Sequence, residues 1–122
     1  MDRESFEGWL DAYGRAWQSR DPEAAARLFT YYATYHETPF DEPIRGHEGI
    51  LEYWSEVPRS QEDIRFSCEI LAVTAETGIA HWKSAFTRLP SNAPVELDGI
   101  FLVKLDGDGL CIEFREWWHR RE

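Results

Sequence analysis

Residues 33–47 read ATYHETPFDEPIRGH, and this stretch joins a first third with helical spacing to a second half with strand spacing. The pattern predicts a short strand that ends at the adjacent His36 and Glu37. Pro39 and Pro43 then stiffen the loop that leads to the next helix. In a small α+β domain, a strand end followed by a rigid loop places a polar group at the mouth of a pocket.

Composition and length predict one domain over residues 1–122. The chain is 43% hydrophobic and 15% aromatic, which suffices for one core without a metal or a disulfide. Its formal net charge is −10, and its cationic cluster of Arg115, Arg120 and Arg121 is interrupted by glutamates. Because binding to phosphates needs a contiguous basic face, nucleic acid and membranes are not expected as partners.

The two cysteines and the length of the apolar runs indicate the cellular compartment of the protein. Cys68 and Cys111 lie on predicted strands without Cys-x-x-Cys spacing, which indicates small buried free thiols in a reducing compartment. No signal-peptide pattern is visible, and no apolar run reaches the ~18 residues of a membrane span. A cytoplasmic location is therefore predicted. The four histidines lack zinc-site spacing, so neither a metal nor another cofactor is expected.

Three helices are predicted ahead of most strands. Apolar residues recur at steps of three and four over residues 3–18, which indicates an amphipathic helix. Asp21 is a strong N-cap for a second, short helix that continues over residues 24–29. A third helix is predicted over residues 47–57, where the following proline ends it.

From residue 63 onward the hydrophobic period changes to two. Strands are predicted at about 63–75, 79–89, 95–105 and 110–119. Their short connections favour antiparallel neighbours, and one more strand lies between the second and third helices. The pattern therefore predicts an α+β fold in which three N-terminal helices pack on a curved, mostly antiparallel sheet around a cavity.

Strand alternation assigns side chains to the two faces of this sheet. The residues expected to line the cavity and bind a ligand are His36, Tyr53, Trp54, Trp82, Ser84, Phe86, Phe101 and Trp118. On the opposite face, Ile100, Leu102 and Trp117 form an apolar patch, and such a patch usually marks a subunit contact. A homodimer through the outer sheet face is predicted.

Several segments carry a family resemblance together. They are Tyr13 in the first helix, Asp21-Pro22-Glu23-Ala24, Pro39-Phe40, and the closing Phe114-Arg115-Glu116-Trp117-Trp118. In order and spacing the chain resembles the nuclear transport factor 2-like superfamily, in particular its SnoaL-like and ketosteroid isomerase-like branch. The resemblance implies a cone-shaped, cystatin-like fold, often dimeric, whose cavity hosts isomerases, dehydratases, epoxide hydrolases and polyketide cyclases.

The resemblance also implies roles for individual residues. Tyr13 falls where ketosteroid isomerases keep a tyrosine that stabilises an oxyanion. Glu37 falls close to their catalytic base, with Thr38 inserted before the next proline. Their second oxyanion-binding acid corresponds to Phe101, which cannot donate a hydrogen bond.

The ionisable candidates each have a structural alternative. Neighbours on a strand face opposite sides, so without a bulge only one of His36 and Glu37 points inward. A cavity carboxylate has its pKa raised by desolvation and can act as a general base near neutral pH. Glu116, flanked by aromatics, is either a structural acid, paired with a base or at a partly wet rim, or a functional one, as a second acid or a polar anchor for the ligand. Tyr13 is either a core residue with its hydroxyl tied to one partner or a donor to the ligand.

The leading hypothesis is a SnoaL-like domain that binds a small hydrophobic molecule in an aromatic cavity. Its reaction would be cofactor-free acid/base chemistry of the isomerase, cyclase or dehydratase type, with Tyr13, Glu37 and Glu116 as catalytic residues. The alternative is a non-catalytic ligand-binding or protein-interaction module. A cavity below the ~300 Å³ typical of ligand sites would favour that alternative.

Overall fold

The computed structural model describes residues 1–122 and contains four helices and six strands. The helices are α1 (Arg3–Gln18), α2 (Pro22–Ala26), α3 (Gly46–Trp54) and α4 (Val57–Ser60). The strands are β1 (Phe29–His36), β2 (Ile44–Arg45), β3 (Gln61–Val73), β4 (Gly78–Arg88), β5 (Pro94–Leu105) and β6 (Cys111–Arg121).

All six strands form one curved sheet in the order β2-β1-β6-β5-β4-β3. Strands β3 to β6 pair as the predicted antiparallel meander, whereas β1 runs parallel to β6. The register of β3 against β4 shifts between Glu62 and Arg65, and irregularities of this kind bend a strand. The predicted α+β class, with helices packed on a curved sheet, is confirmed.

Helix α1 has the predicted bounds because its N-terminal cap and its buried apolar face span the same residues. The Asp2 side chain accepts a hydrogen bond of 2.7 Å from the Ser5 backbone N–H and so caps the first turn. The apolar stripe, which includes Trp9, Tyr13 and Trp17, is buried. This stripe makes α1 the main cover of the concave sheet face.

The other helices differ from the predicted ones at their ends. Asp21 caps α2 as predicted, but α2 ends at Ala26, and Phe29 instead begins β1 opposite Cys111. Pairing with β6 takes this residue out of the helix. Helix α3 ends at Trp54, three residues before the predicted end. The chain then forms the one-turn helix α4, where Pro58 occupies the first turn, a position that tolerates proline.

The turn into α3 depends on a glycine. Gly46 has a φ of +76°, and a Cβ there would lie 3.2 Å from the Tyr31 carbonyl oxygen. Residues other than glycine are strained in that conformation. The short pairing of β2 with β1 just before this turn holds the loop that follows Glu37 against the sheet.

Aromatic rings make up much of the core between the helices and the concave sheet face. Tyr13 is near the centre, with its ring centroid 5.2 Å from that of Phe101, 5.4 Å from Trp54 and 5.6 Å from Phe114. The aromatic interior predicted from the sequence is therefore present.

Both cysteines are free thiols, but they differ in exposure. Cys111 is buried as predicted, whereas Cys68 is exposed, which corrects the prediction for that residue. Cys68 lies on β3, an edge strand of the sheet, so one side of it has no neighbouring strand. None of the helices combines the length and the apolar character that crossing a membrane requires.

Candidate functional site

A cavity of about 340 Å³ opens between the helices and the concave faces of β4, β5 and β6. Its volume lies just above the ~300 Å³ at the lower end of ligand sites. Ten of its 17 lining residues are hydrophobic. The site therefore combines an apolar body with a few polar groups, and the positions of those groups determine what it can do.

Glu116 is the most buried carboxyl group of the cavity, with 7% of its surface exposed. It lies on β6 between Phe114 and Trp118 on the concave face, as alternation predicted. The pKa of Glu116 is raised to about 8, mainly by burial and also by the charge of Glu37, while hydrogen bonding from Tyr35 acts in the opposite direction. Since no cation contributes to this pKa, Glu116 is not the base-paired acid considered above, and it is mostly protonated at pH 7.

Three tyrosines line the cavity beside this carboxyl group. The hydroxyl oxygens of Tyr13 and Tyr35 lie 3.4 Å apart, and the Tyr35 ring lies 5.1 Å from that of Tyr53. Burial raises the pKa of all three well above the ordinary value of 10.0, and proximity to Glu116 adds to the effect. The three hydroxyls therefore remain neutral donors at any physiological pH.

Glu37 lies at the margin of the same cavity, one residue beyond the end of β1. Partial burial raises its pKa above the ordinary 4.5, and the nearby Asp41 raises it further. The Trp118 indole N–H donates to the Glu37 backbone carbonyl at 3.2 Å, which attaches this segment to β6. Glu37 is thus a half-buried acid held at a fixed position.

His36 does not line the cavity, which resolves the choice between the two neighbours on β1. Alternation directs Tyr35 and Glu37 inward and His36 to the other face. There, burial lowers the pKa of His36, and the positive charge of Arg115 lowers it further. His36, predicted as a ligand-binding residue, therefore lies outside the lining of this cavity.

The structure brings the three predicted catalytic residues together at one cavity. Five of the eight predicted ligand-binding residues also line it, namely Tyr53, Trp54, Trp82, Phe86 and Trp118. Phe101 does not, because it is fully buried between Tyr13 and the Trp82 ring, whose centroid is 4.9 Å away. Ser84 is also absent from the lining and borders a separate groove beside Arg65. Phe101 and Ser84 are both buried on the predicted strands but do not reach the cavity surface.

The residue paired with Phe101 on the neighbouring strand has a carboxyl group. In the register of β5 and β6, Phe101 pairs directly with Glu116. Side chains at such paired positions have Cβ atoms about 4.5–5.5 Å apart on the same face. A carboxyl group is therefore supplied to this region of the cavity by the neighbouring strand.

Sequence reasoning missed some of the polar lining residues. Tyr35 was detectable, since it precedes Glu37 by two positions on one strand face. Arg120 likewise follows Trp118 by two positions on β6. Gln61, which accepts a 2.8 Å hydrogen bond from the Trp17 indole N–H, lies at the start of β3 and had no comparable signal. No group of three or more histidine, cysteine, aspartate or glutamate side chains is placed to hold a metal ion.

The family model of the SnoaL-like domain matches residues 10–114. The chain belongs to the SnoaL-like family. This family falls within the nuclear transport factor 2-like superfamily that the sequence resembles, so the predicted resemblance is confirmed. No curated protein matches the SnoaL-like chain by sequence.

Solved structures share the fold of this SnoaL-like domain at low sequence identity. One is SalBIII, an epoxide hydrolase/cyclase-like enzyme with a role in pyran ring formation in the polyether salinomycin. It is 16% identical, with a TM-score of 0.84 over 97% of this chain and 93% of that chain. A Bacillus subtilis protein provisionally assigned as an isomerase is 16% identical, with a TM-score of 0.84 over 98% and 90%. An NTF2-like protein of unknown function from Exiguobacterium sp. 255-15 is 19% identical, with a TM-score of 0.77 over 91% and 98%.

Proposed function

We propose that this SnoaL-like domain binds a small hydrophobic molecule and catalyses a cofactor-free acid/base reaction on it, of the isomerase, cyclase or dehydratase type. One observation carries the proposal: two carboxyl groups of the same cavity are in contrasting environments. Glu116 is buried and holds its proton to a pKa of about 8, whereas Glu37 is half-buried and carries the charge that Glu116 senses. Environments that separate two pKa values in this way assign one group as acid and the other as base.

In an isomerisation, Glu37 would remove a proton from the carbon next to a substrate carbonyl. The electron pair of that C–H bond forms a double bond to the carbonyl carbon, and the π pair of the carbonyl moves onto its oxygen, which becomes an enolate oxygen. Neutral donors at the buried end of the cavity, Tyr13 and protonated Glu116, would hydrogen-bond this oxygen as its charge develops. If the substrate carries a β,γ double bond, the enolate is conjugated, and return of the proton from Glu37 to the γ-carbon shifts that double bond to the α,β position without a change in oxidation state.

The aromatic lining suits the substrate class. Trp54, Trp82 and Phe86 offer flat apolar surfaces on the cavity wall. The indole N–H groups of both tryptophans are fully buried without a hydrogen-bond partner, so the two rings present apolar surface to the cavity and the tyrosine hydroxyls supply its donors. Such a lining favours a flat, mostly apolar molecule with an oxygen substituent.

A non-catalytic binding module remains the alternative, and two observations favour it. The Tyr13 hydroxyl is within hydrogen-bonding distance of Tyr35, and the cavity is small for its class. A site of this kind could hold a ligand without reacting with it.

Hydrogen exchange at carbon distinguishes the two possibilities. The protein would be incubated in D₂O with a panel of bicyclic and aromatic ketones, and loss of the α-proton signal would be followed by NMR. Wild-type protein is expected to accelerate exchange of at least one ketone, and Glu37→Gln is expected to reduce that acceleration by about 100-fold or more. Glu113→Gln, on β6 but not in the cavity lining, is the matched control and should retain the acceleration. Binding of the ketones without accelerated exchange would establish the binding module instead.

We also propose that the domain is a homodimer through its outer sheet face. Trp117 is 44% exposed there, and Ile100 is its direct partner in the register of β5 and β6. Leu102 lies two residues further along the same face and is half-buried. An exposed indole ring beside two aliphatic side chains is an apolar surface of the kind that a second copy would cover.

A further inference from the structure

Two arginines lie at the outer end of the cavity. Arg88 is the last residue of β4, and Arg120 is the next-to-last residue of β6. Both line the cavity, each two residues beyond an aromatic lining residue, Phe86 and Trp118 respectively. In a chain with a formal charge of −10, a pair of cations at one end of an apolar cavity is a distinct electrostatic feature.

The same two arginines already hold a carboxylate between them. Nη1 of Arg88 lies 2.7 Å from one carboxylate oxygen of Glu122, and Nε of Arg120 lies 3.3 Å from the other. The geometry is therefore that of a two-arginine clamp, with one guanidinium for each oxygen. Guanidinium groups match carboxylates in this way because their N–H donors are planar and fixed.

We propose that the physiological ligand of the cavity is an amphipathic carboxylate, whose anionic group replaces the Glu122 side chain between Arg88 and Arg120 while its apolar body fills the cavity. This inference rests on the proposed function, since it assigns a substrate class to the same hydrophobic site. In the empty protein, Glu122 acts as an internal competitor that occupies the clamp.

The energetics permit such a replacement. The Arg88, Arg120 and Glu122 side chains are 34%, 49% and 38% exposed, respectively. Ion pairs this exposed contribute little net stability because water screens them, so a ligand loses little by displacing Glu122. A ligand carboxylate joined to an apolar body that is already bound gains the same contacts at a high effective concentration.

The dimensions specify the ligand further. Glu116 and Arg120 lie on the same face of β6, four residues apart, which corresponds to roughly 13 Å along the strand. A ligand that reaches both ends carries its reactive oxygen near Tyr13 and Glu116 and its carboxylate about that distance away. The carboxylate then lies far from Glu116, which is itself mostly neutral at pH 7.

A matched pair of probes tests the inference. The probes are 6-phenylhexanoate, whose length is close to this distance, and the neutral 6-phenylhexan-1-ol, and binding is followed by NMR shifts of the tryptophan indole N–H groups. The measured quantity is the ratio of the two dissociation constants in each variant, so a general loss of folding or of cavity shape affects both probes and cancels.

The variants are chosen with charge-matched controls. Arg120→Gln is compared with Arg121→Gln, which is adjacent but on the opposite strand face. Glu122→Gln is compared with Glu96→Gln, whose carboxylate pairs with Arg121 away from the cavity. Each pair makes the same change in net charge.

Arg120→Gln and Arg88→Gln should each weaken binding of the carboxylate probe, relative to binding of the alcohol, by about threefold or more. Glu122→Gln should strengthen the relative binding of the carboxylate by about two- to fivefold. Neither control should change the ratio by more than about 1.5-fold, and added salt should reduce the carboxylate's advantage. Equal ratios in wild type, Arg120→Gln and Glu122→Gln, with the alcohol still bound, would overturn the inference alone. Failure of the alcohol to bind at all would overturn the hydrophobic site itself, and the inference with it.

Discussion

Replacement of Glu116 by glutamine is expected to stabilise the protein, increasingly so as the pH rises. The pKa of Glu116 is about 8 in the folded protein, compared with an ordinary value of 4.5. The folded state therefore binds this proton more tightly than the unfolded state does. Stability falls as the pH rises between the two values, and the full loss is reached above the folded-state pKa.

The size of the effect follows from the pKa difference. Relative to a neutral isostere, the unfolded state gains from ionising this carboxyl group before the folded state can, which lowers the free energy of unfolding by about 1 kcal/mol at pH 5, about 3 kcal/mol at pH 7 and about 5 kcal/mol at pH 9. Glutamine has nearly the same shape and does not titrate. The difference in unfolding free energy between Glu116→Gln and wild type should therefore increase by about 4 kcal/mol from pH 5 to pH 9.

Urea denaturation followed by tryptophan fluorescence at pH 5, 7 and 9 measures this difference. Titrating groups common to both proteins cancel unless they face Glu116. Those that face it are Glu37 and the three cavity tyrosines, and the tyrosines stay neutral because their pKa values lie well above 10.0.

Glu113→Gln supplies the control on the same strand. Hydrogen bonding from Arg115 lowers the pKa of Glu113, so this residue is ionised in both folded and unfolded protein from pH 5 to 9. Its stability difference from wild type should change far less with pH than that of Glu116→Gln, because the only titration it senses in that interval is that of the nearby His36. A difference for Glu116→Gln that stays constant within about 1 kcal/mol would show that this carboxyl group is not desolvated in the folded protein.

Three further predictions concern single substitutions. Gly99→Ala should reduce stability by about 3 kcal/mol in urea denaturation, because its Cβ would overlap the Trp117 carbonyl oxygen, whereas Gly8→Ala has open space and should cost nothing. Trp117→Glu should convert a dimer into a monomer in sedimentation velocity at micromolar concentration, and a wild-type monomer would contradict the dimer. Tyr35→Phe removes the hydrogen bond that lowers the pKa of Glu116, so carboxyl ¹³C NMR should show that pKa rise above 8, and an unchanged or lower value would count against the contact.

The spacing of apolar residues predicted the elements whose structure depends mainly on local sequence. Helix α1 and the meander from β3 to β6 each bury one face, and that face is visible in the spacing of apolar residues. The end of α2 depends instead on competition with the sheet, since Phe29 pairs with Cys111 more than 80 positions away in the chain. A contact at that sequence separation leaves no local signal, and neither does the parallel pairing of β1 with β6.

The candidate site was predictable to the level of strand faces. Alternation placed Glu116 and Trp118 inside, and the strand-end argument placed one of His36 and Glu37 at the mouth without deciding between them. Whether a side chain on the concave face reaches the cavity or lies beneath other side chains was not predictable, because that depends on how α1 packs on the curved sheet. Phe101 is therefore covered by Tyr13 although it shares the concave face with true lining residues.

The energetic cost of Glu116 is itself an argument for function. A single domain of this size has a net stability of about 5–15 kcal/mol, so a group that costs about 3 kcal/mol at pH 7 uses a large part of that margin. Its strand partner Phe101 shows that an uncharged ring fits on this part of the sheet. Glu116 makes no ion pair that would offset the cost, so packing and stability do not account for a carboxyl group here. What the carboxyl group supplies is a proton that is about nine-tenths retained at pH 7 beside three neutral hydroxyls, which is the requirement for donating a hydrogen bond to an oxygen that gains charge.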